Sequence, residues 1–191
     1  MEPVTEKLPL FPLSSVLFPT GLLGLRIFES RYLDMVKDRM RRGAGFGVVA
    51  NLSASEHALI GTEAMIIDFS TLDDGLLGLQ CRGHRRFKVQ HTAAQDDGLI
   101  VADVQWWPPE PAQAVRPEHA ALQSLMREML QQEDIAQTLD IDTDQSSELG
   151  LGLASVLPLE TLQAQYLLEL QDPDRRLDQL NQWVQTKAQT M

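Results

Sequence analysis

Cysteine is nearly absent: Cys81 stands alone in 191 residues, so the chain can form neither an internal disulfide nor a cysteine-rich structural zinc site. That usage fits a reducing compartment, and a cytoplasmic location is the expectation. Lysine is scarce as well, and no glycine is followed by one, which excludes the G-x-x-x-x-G-K-[ST] phosphate loop of nucleotide motors. G-x-S-x-G, S-x-x-K and H-E-x-x-H are all missing, so no nucleophile elbow, Ser-Lys pair or helical zinc motif is written in the chain. The four histidines, His57, His84, His91 and His119, show no spacing that favours catalysis and are read as structural. No usable membrane span is present either. Leu8 to Leu25 is uncharged for 18 residues, yet Pro9, Pro12 and Pro19 would each cost a helix about 3 kcal/mol. No A-x-A cleavage site follows it, so a secretory leader is not expected.

Positive charge is in deficit. Sixteen Lys and Arg face 27 Asp and Glu, for a net charge of −11. The excess is uneven: residues 1–109 carry 11 bases against 13 acids, whereas residues 110–191 carry 5 against 14. Such a field repels phosphate backbones and anionic membrane surfaces, so neither nucleic acid nor membrane is an expected partner. What remains is an ordinary globular composition, 43% hydrophobic and 23% charged. A chain of this length should bury roughly 70% of its unfolded surface.

The first half reads as sheet with one helix inserted. Leu8–Pro12 and Leu22–Phe28 are short apolar runs bounded by Pro and Gly. From Glu29 to Arg42 the period changes to helical, with Tyr32, Leu33, Val36 and Met40 as its stripe and Gly43 as its stop. Strand candidates follow at Phe46–Leu52, Ile60–Phe69, Leu76–Cys81, Arg85–Val89 and Leu99–Trp107. Asp-Asp-Gly turns at 73–75 and 96–98 suit hairpins and predict meander-like connectivity. Several short strands with one early helix point to a small, partly open barrel or a pair of curled sheets. Pro108 and Pro109 open a stiff linker at 110–116. Beyond it the pattern is helical: Leu122, Leu125, Met126, Met129 and Leu130 form one stripe, and Leu149–Leu157 is a second apolar segment. Pro158 opens a third helix with Leu162, Tyr166, Leu167 and Leu170. Asp172-Pro173 caps a fourth with Leu177, Leu180, Trp183 and Val184. The expected division is a β subdomain at 1–109, the linker, and a helical bundle at 117–191.

Three local patterns resemble sites and fail on inspection. Gly43, Gly45 and Gly47 follow a helix and enter a strand, the reverse of the order a dinucleotide loop requires. Asp140, Asp142 and Asp144 begin like a calcium loop, but Gln145 stands where glycine is needed and Leu151 where a bidentate Glu is needed. No metal or cofactor is expected. The basic stretch Arg82 to Lys88 could meet an anion, but Gly83 is expected to interrupt the strand and scramble its parity. Cations on an edge strand commonly guard against edge-to-edge pairing. Cys81, beside Arg82, is expected to be a buried strand thiol rather than a reactive one.

Leu8-Pro-Leu-Phe-Pro-Leu-Ser-Ser-Val-Leu-Phe-Pro and Leu25-Arg-Ile-Phe-Glu-Ser-Arg-Tyr-Leu-Asp-Met-Val resemble the opening of the Lon protease N-terminal domain, in particular its free-standing bacterial forms. Ile60-Gly-Thr-Glu, Gly83-His-Arg-Arg-Phe-Lys-Val, Leu151-Gly-Leu-Ala-Ser-Val-Leu-Pro-Leu and Gln165-Tyr-Leu-Leu-Glu-Leu-Gln-Asp-Pro are similar to later blocks in the same order. The resemblance implies an α+β fold: a PUA-like curled β-barrel with one inserted helix, then a helical bundle. It also implies reception of unfolded or degron-bearing polypeptides. The ATPase motor and Ser-Lys peptidase of Lon have no counterpart motif in these residues, so the expected role is a non-enzymatic, chaperone-like adaptor or holdase. A related module in cereblon likewise binds rather than cuts. A protease or chaperone, or a second copy of the chain, is a compatible partner. Candidate contacts are Phe28, Glu29, Arg31 and Tyr32, where the family's recognition region aligns, with Trp106 and Trp107. Plain packing is the competing role for Tyr32 and for one tryptophan, since adjacent strand residues face opposite ways. Two rivals come from other classes: RNA binding, which PUA-like barrels also perform, and a hydrolase whose residues assemble only in space.

Overall fold

The computed structural model describes residues 6–53 and 56–190. Contacts divide the chain into two compact units, Met1–Pro108 and Pro109–Met191. The first contains β1 (Glu6–Leu13), β2 (Leu22–Ile27), α1 (Ser30–Arg42), β3 (Phe46–Ala50), β4 (Ile60–Thr71), β5 (Leu77–Ala94) and β6 (Ile100–Trp106). The sheet order is β2-β5-β4-β3-β1-β6, and a further β5–β6 pairing closes the ring.

Closure depends on the length of β5. Its 18 residues pair with β4 along one edge, and along the other with β2 through Leu77–Arg82 and with β6 through Phe87–Ala94. The two strands expected at Leu76–Cys81 and Arg85–Val89 are therefore one. Gly83 does not break it, because partners on both edges hold the strand through that position. Its glycine has a steric cause: a Cβ there would lie 2.0 Å from the Phe18 carbonyl oxygen. The parity does shift, at a bulge one step on, where His84 and Arg85 together oppose Glu63 between the Ala64–Gly83 and Thr62–Arg86 pairs. The edge-guard expectation fails, since β5 lies inside the sheet.

Strands β3 to β6 form the expected antiparallel meander, with Gly75 and Gly98 at φ 80° and 81° in its turns. β1 departs from it and pairs with β3 in parallel. A parallel pair needs a crossover, and β2 with α1 supplies one. α1 ends on Gly43 at φ 59°, whose N–H and that of Ala44 return to the Met40 and Arg39 carbonyls. The helix buries Tyr32, Met35 and Val36. Met40, expected in that stripe, is exposed, and Met35, five residues earlier, is buried instead.

These side chains belong to a core that also holds Phe11, Leu17, Leu25, Ile27, Phe46, Val48, Leu79 and Leu99. A second cluster, Leu8, Leu10, Val49, Phe87, Val89, Ala102 and Val104, fills the rest of the barrel. Cys81 is fully buried on β5, and burial pushes its thiol up to about 12.

The second unit is helical: a 3₁₀ turn at Pro117–His119, then α2 (Ala120–Met129), α3 (Glu133–Thr138), α4 (Ser146–Val156), α5 (Thr161–Glu169) and α6 (Pro173–Thr190). α4 is buried from Leu149 to Ala154, which explains its unbroken apolar run. Asp172 caps α6 as expected, its Oδ1 accepting from the Asp174 N–H at 3.0 Å. α5 starts later than Pro158, at a capping box of Glu160 and Gln163. Its stripe is rotated too: Leu162 and Tyr166 are exposed, whereas Ala164, Leu167 and Leu168 are buried. α3 was not foreseen. It sits in the acidic connection, with Glu133 and Asp134 in its first turn, where carboxylates favour the helix dipole.

The stretch at 110–116 is tied into this unit. Ala114 bridges to Gln145, Val115 N–H donates to the Asp144 carbonyl, and Glu110 is held by Arg176. Among the described residues no helix is long and apolar enough to cross a membrane.

Candidate functional site

The β unit carries a groove of about 650 Å³ where the β2–α1 junction faces the end of β1. Its walls are Phe11, Pro12 and Leu13 from β1 and Gly24 to Phe28 on and after β2. Glu29, Arg31, Tyr32, Asn51, Ser53, His57 and Ile100 complete it.

Four of the six expected contact residues meet here. Phe28 stands at the lip, 69% exposed. Glu29 precedes the first turn of α1, and its carboxylate pairs with Arg31 at 2.6 Å. Arg31 also donates to the Gly98 carbonyl at 2.8 Å, and its guanidinium lies 4.8 Å above the Tyr32 ring. Tyr32 is buried and packs on Phe11 with ring centroids 4.2 Å apart. Burial pushes its phenol above the ordinary value, against the opposing pull of the Arg31 guanidinium. The hydroxyl therefore stays neutral at physiological pH. On the far side, His57 Nδ1 lies 2.8 Å from Asn51 Oδ1.

Trp106 and Trp107 lie elsewhere. Both are half-buried; Trp106 packs against the barrel core, the plain-packing role expected of one of the pair, although it is not fully inside. Each has an arginine over its face, Arg85 at 3.5 Å from the Trp106 ring and Arg86 at 4.8 Å from that of Trp107. Trp106 also meets Phe87 edge to face and donates its indole N–H to Glu6 at 2.8 Å.

The same contacts consume most of the basic stretch. Arg85 Nε donates to the buried Glu63 carboxylate at 2.8 Å, with His84 Nδ1 3.1 Å from the same oxygen. Arg82 donates to the Thr20 carbonyl, and Arg86 is 6% exposed. Cations so engaged form a poor track for a phosphate backbone. Among the described residues no cluster of His, Cys, Asp or Glu is arranged to hold a metal ion.

Sequence reading missed the opposite wall: Phe11, Leu13, Gly24, Arg26, Asn51, His57 and Ile100 come from separated segments that only the closed barrel brings together. The Phe-Glu-Ser-Arg-Tyr run marked the near wall because it is continuous.

Comparison with known proteins places this geometry. The model of the ATP-dependent protease La (LON) substrate-binding domain matches residues 7–186. A Lon N-terminal domain protein from Xanthomonas campestris is 44% identical, with a TM-score of 0.82 over 93% of this chain and 98% of that one. The N-terminal domain of the Mycobacterium avium complex Lon protease, 18% identical, shares the fold with a TM-score of 0.71 over 93% of this chain and 97% of that one. Lon protease 2 of Herpetosiphon aurantiacus is 27% identical over 93% of this chain, and the match spans 23% of that protein's length.

Proposed function

The chain belongs to the family of LON substrate-binding domains, and from that premise we propose that it is a polypeptide-binding module, an adaptor or holdase for exposed apolar or unfolded segments, with no bond-breaking of its own. The groove of the β unit is the binding site. Phe28 is the observation that carries this reading. A large aromatic side chain left 69% exposed at the lip of a groove with a mainly apolar lining gains buried apolar area when a partner covers both together. Glu29 and Arg31 neutralise one another at the rim and set the groove's mouth, and Tyr32 supports its floor.

Magnitudes keep such binding weak. Covering about 400 Å² of apolar surface contributes roughly 10 kcal/mol gross, against an association cost of about 4–15 kcal/mol. Weak, reversible capture suits sampling of misfolded clients, and a second copy or a tethered protease would raise it by avidity.

The direct test is titration of the purified chain against fluorescent apolar peptides and a denatured client, without ATP, beside a structured RNA at low and high salt. Saturable peptide binding and delayed client aggregation, both weakened by Phe28→Ala, are expected. Absence of any peptide binding overturns the reading, and tight, salt-dependent RNA binding replaces it with the nucleic-acid one.

A further inference from the structure

The wall of the groove formed by β2 is an unpaired strand edge. β2 is the end strand of the sheet order and, among the described residues, pairs with β5 alone. The register shows which peptide groups face outward. The Gly83 N–H donates to the Gly21 carbonyl at 2.9 Å, and pairing then runs from Leu22–Arg82 to Ile27–Leu77. An antiparallel ladder alternates bonded and outward-facing residues. Leu23, Leu25 and Ile27 thus turn their peptide groups to β5, leaving those of Leu22, Gly24 and Arg26 on the open edge. Opposite, β6 pairs with β1 only from Glu6 to Pro9, so among the described residues no strand covers Phe11 to Leu13 on that side, where they border the slot.

The open edge lacks the usual guards. It contains no proline and no lysine, and its one charged residue, Arg26, is paired with Asp74 of the β4–β5 turn. At its centre Gly24 has no folding reason to be glycine. Its φ is not positive, and a Cβ there would meet nothing within 4 Å, in contrast to Gly83. A bare Cα on a strand edge lets a second backbone come close.

We infer that the polypeptide bound in this groove adds to β2 as an extended strand, joined through the peptide groups of Leu22, Gly24 and Arg26. This rests on the polypeptide-binding reading and specifies its mode. The occupant is a proline-free, weakly charged segment. Six residues of β2 span about 20 Å, enough for a strand of similar length, and the rim charges are already matched, Arg26 by Asp74 and Arg31 by Glu29. Main-chain bonding explains how one site accepts many sequences, while Phe28 and the apolar wall select for hydrophobic side chains.

The test uses an eight-residue peptide alternating Phe or Val with Thr, so that its side chains fix the register, and two versions N-methylated at alternate amides in opposite phase. One phase should lose binding by about tenfold or more, since it removes the main-chain hydrogen bonds to β2, and the other should keep it. Hydrogen exchange at the Leu22, Gly24 and Arg26 amides should slow on adding the parent peptide. Gly24→Pro, which removes an outward N–H and leaves the β5 ladder intact, should weaken binding more than Gly24→Ala, which keeps that N–H and only crowds the approach of the second backbone. Equal binding by both methylated phases, with the parent still bound, overturns strand addition but leaves the polypeptide-binding reading standing. Failure of the parent and every other apolar peptide removes both. Protection of those amides that rises with protein concentration, without peptide, assigns the edge to a second copy and overturns the proposal.

Discussion

The rings of Phe11 and Tyr32 lie 4.2 Å apart and 34° from coplanar, joining β1 to α1 beneath the groove. Phe11 is 8% exposed and Tyr32 9%, whereas Phe28, four residues before Tyr32, is 69% exposed. Floor and lip of one site are thus built from aromatic residues under different constraints: the first two belong to the core, and the third is largely open to solvent.

That difference separates stability from binding. Phe28→Ala truncates a largely exposed side chain and should leave unfolding free energy within about 0.5 kcal/mol of the parent, while weakening peptide affinity several-fold. Phe11→Ala empties a core position and should cost about 3–5 kcal/mol. Urea unfolding and peptide anisotropy on the two variants check this, and a strongly destabilised Phe28→Ala would show that the lip is packed after all.

Trp106 and Trp107 provide a second separation. Neither lines the groove, and both are covered on one face by arginine. Trp107→Ala should keep peptide affinity within about twofold. Trp106→Ala loses packing on Phe87 and the cation–π contact with Arg85, and should lower stability by about 3 kcal/mol or more without shifting affinity in the folded fraction. A tenfold affinity loss in Trp107→Ala would move the site toward β6.

How far the fold was legible depends on the range of its causes. α1 was readable because its stripe, its αL stop at Gly43 and its basic last turn are local. The β5 strand was not. Gly83 looks like an interruption in sequence, and only the approach of Phe18 from 65 positions away explains it. The same holds for the site. Phe28 to Tyr32 form a continuous run, while the open edge of β2 exists because β6 takes the second half of β5 and leaves the first half to β2 alone. Strand order is a non-local property, and no window along the chain contains it.

In the helical unit, Arg176 is fully buried and forms a two-pronged bond to Glu110, at 2.9 and 2.5 Å, with its Nε donating to the Leu167 carbonyl. Ser147 donates to the same Glu110 carboxylate. Removing one partner strands the other. Arg176→Met should therefore cost about 3–5 kcal/mol, and Arg176→Met with Glu110→Leu should recover much of that loss, because a buried pair replaced by apolar groups can be neutral. A double variant as unstable as Arg176→Met would show that the carbonyl bonds, rather than the ion pair, need the guanidinium.

Cys81 makes stability fall at alkaline pH in a definite window. Its folded thiol titrates at about 12 because burial disfavours the thiolate, against an ordinary value of about 8.5 in the unfolded chain. Below the unfolded value both states hold the proton and the group contributes no slope. Above it the unfolded chain releases the proton while the folded chain retains it, so stability drops by about 1.4 kcal/mol per pH unit until the folded thiol itself ionises. Tyr and Lys titrations also act in this range, so the quantity to measure is the difference between the parent and Cys81→Ala. That difference should be constant up to about pH 8.5 and then shift against the parent with that slope. The thiol should also resist a disulfide reagent in the folded protein and react at once in denaturant. A flat difference to pH 11, or rapid labelling of the native chain, would mean that water reaches the β5 interior at this position.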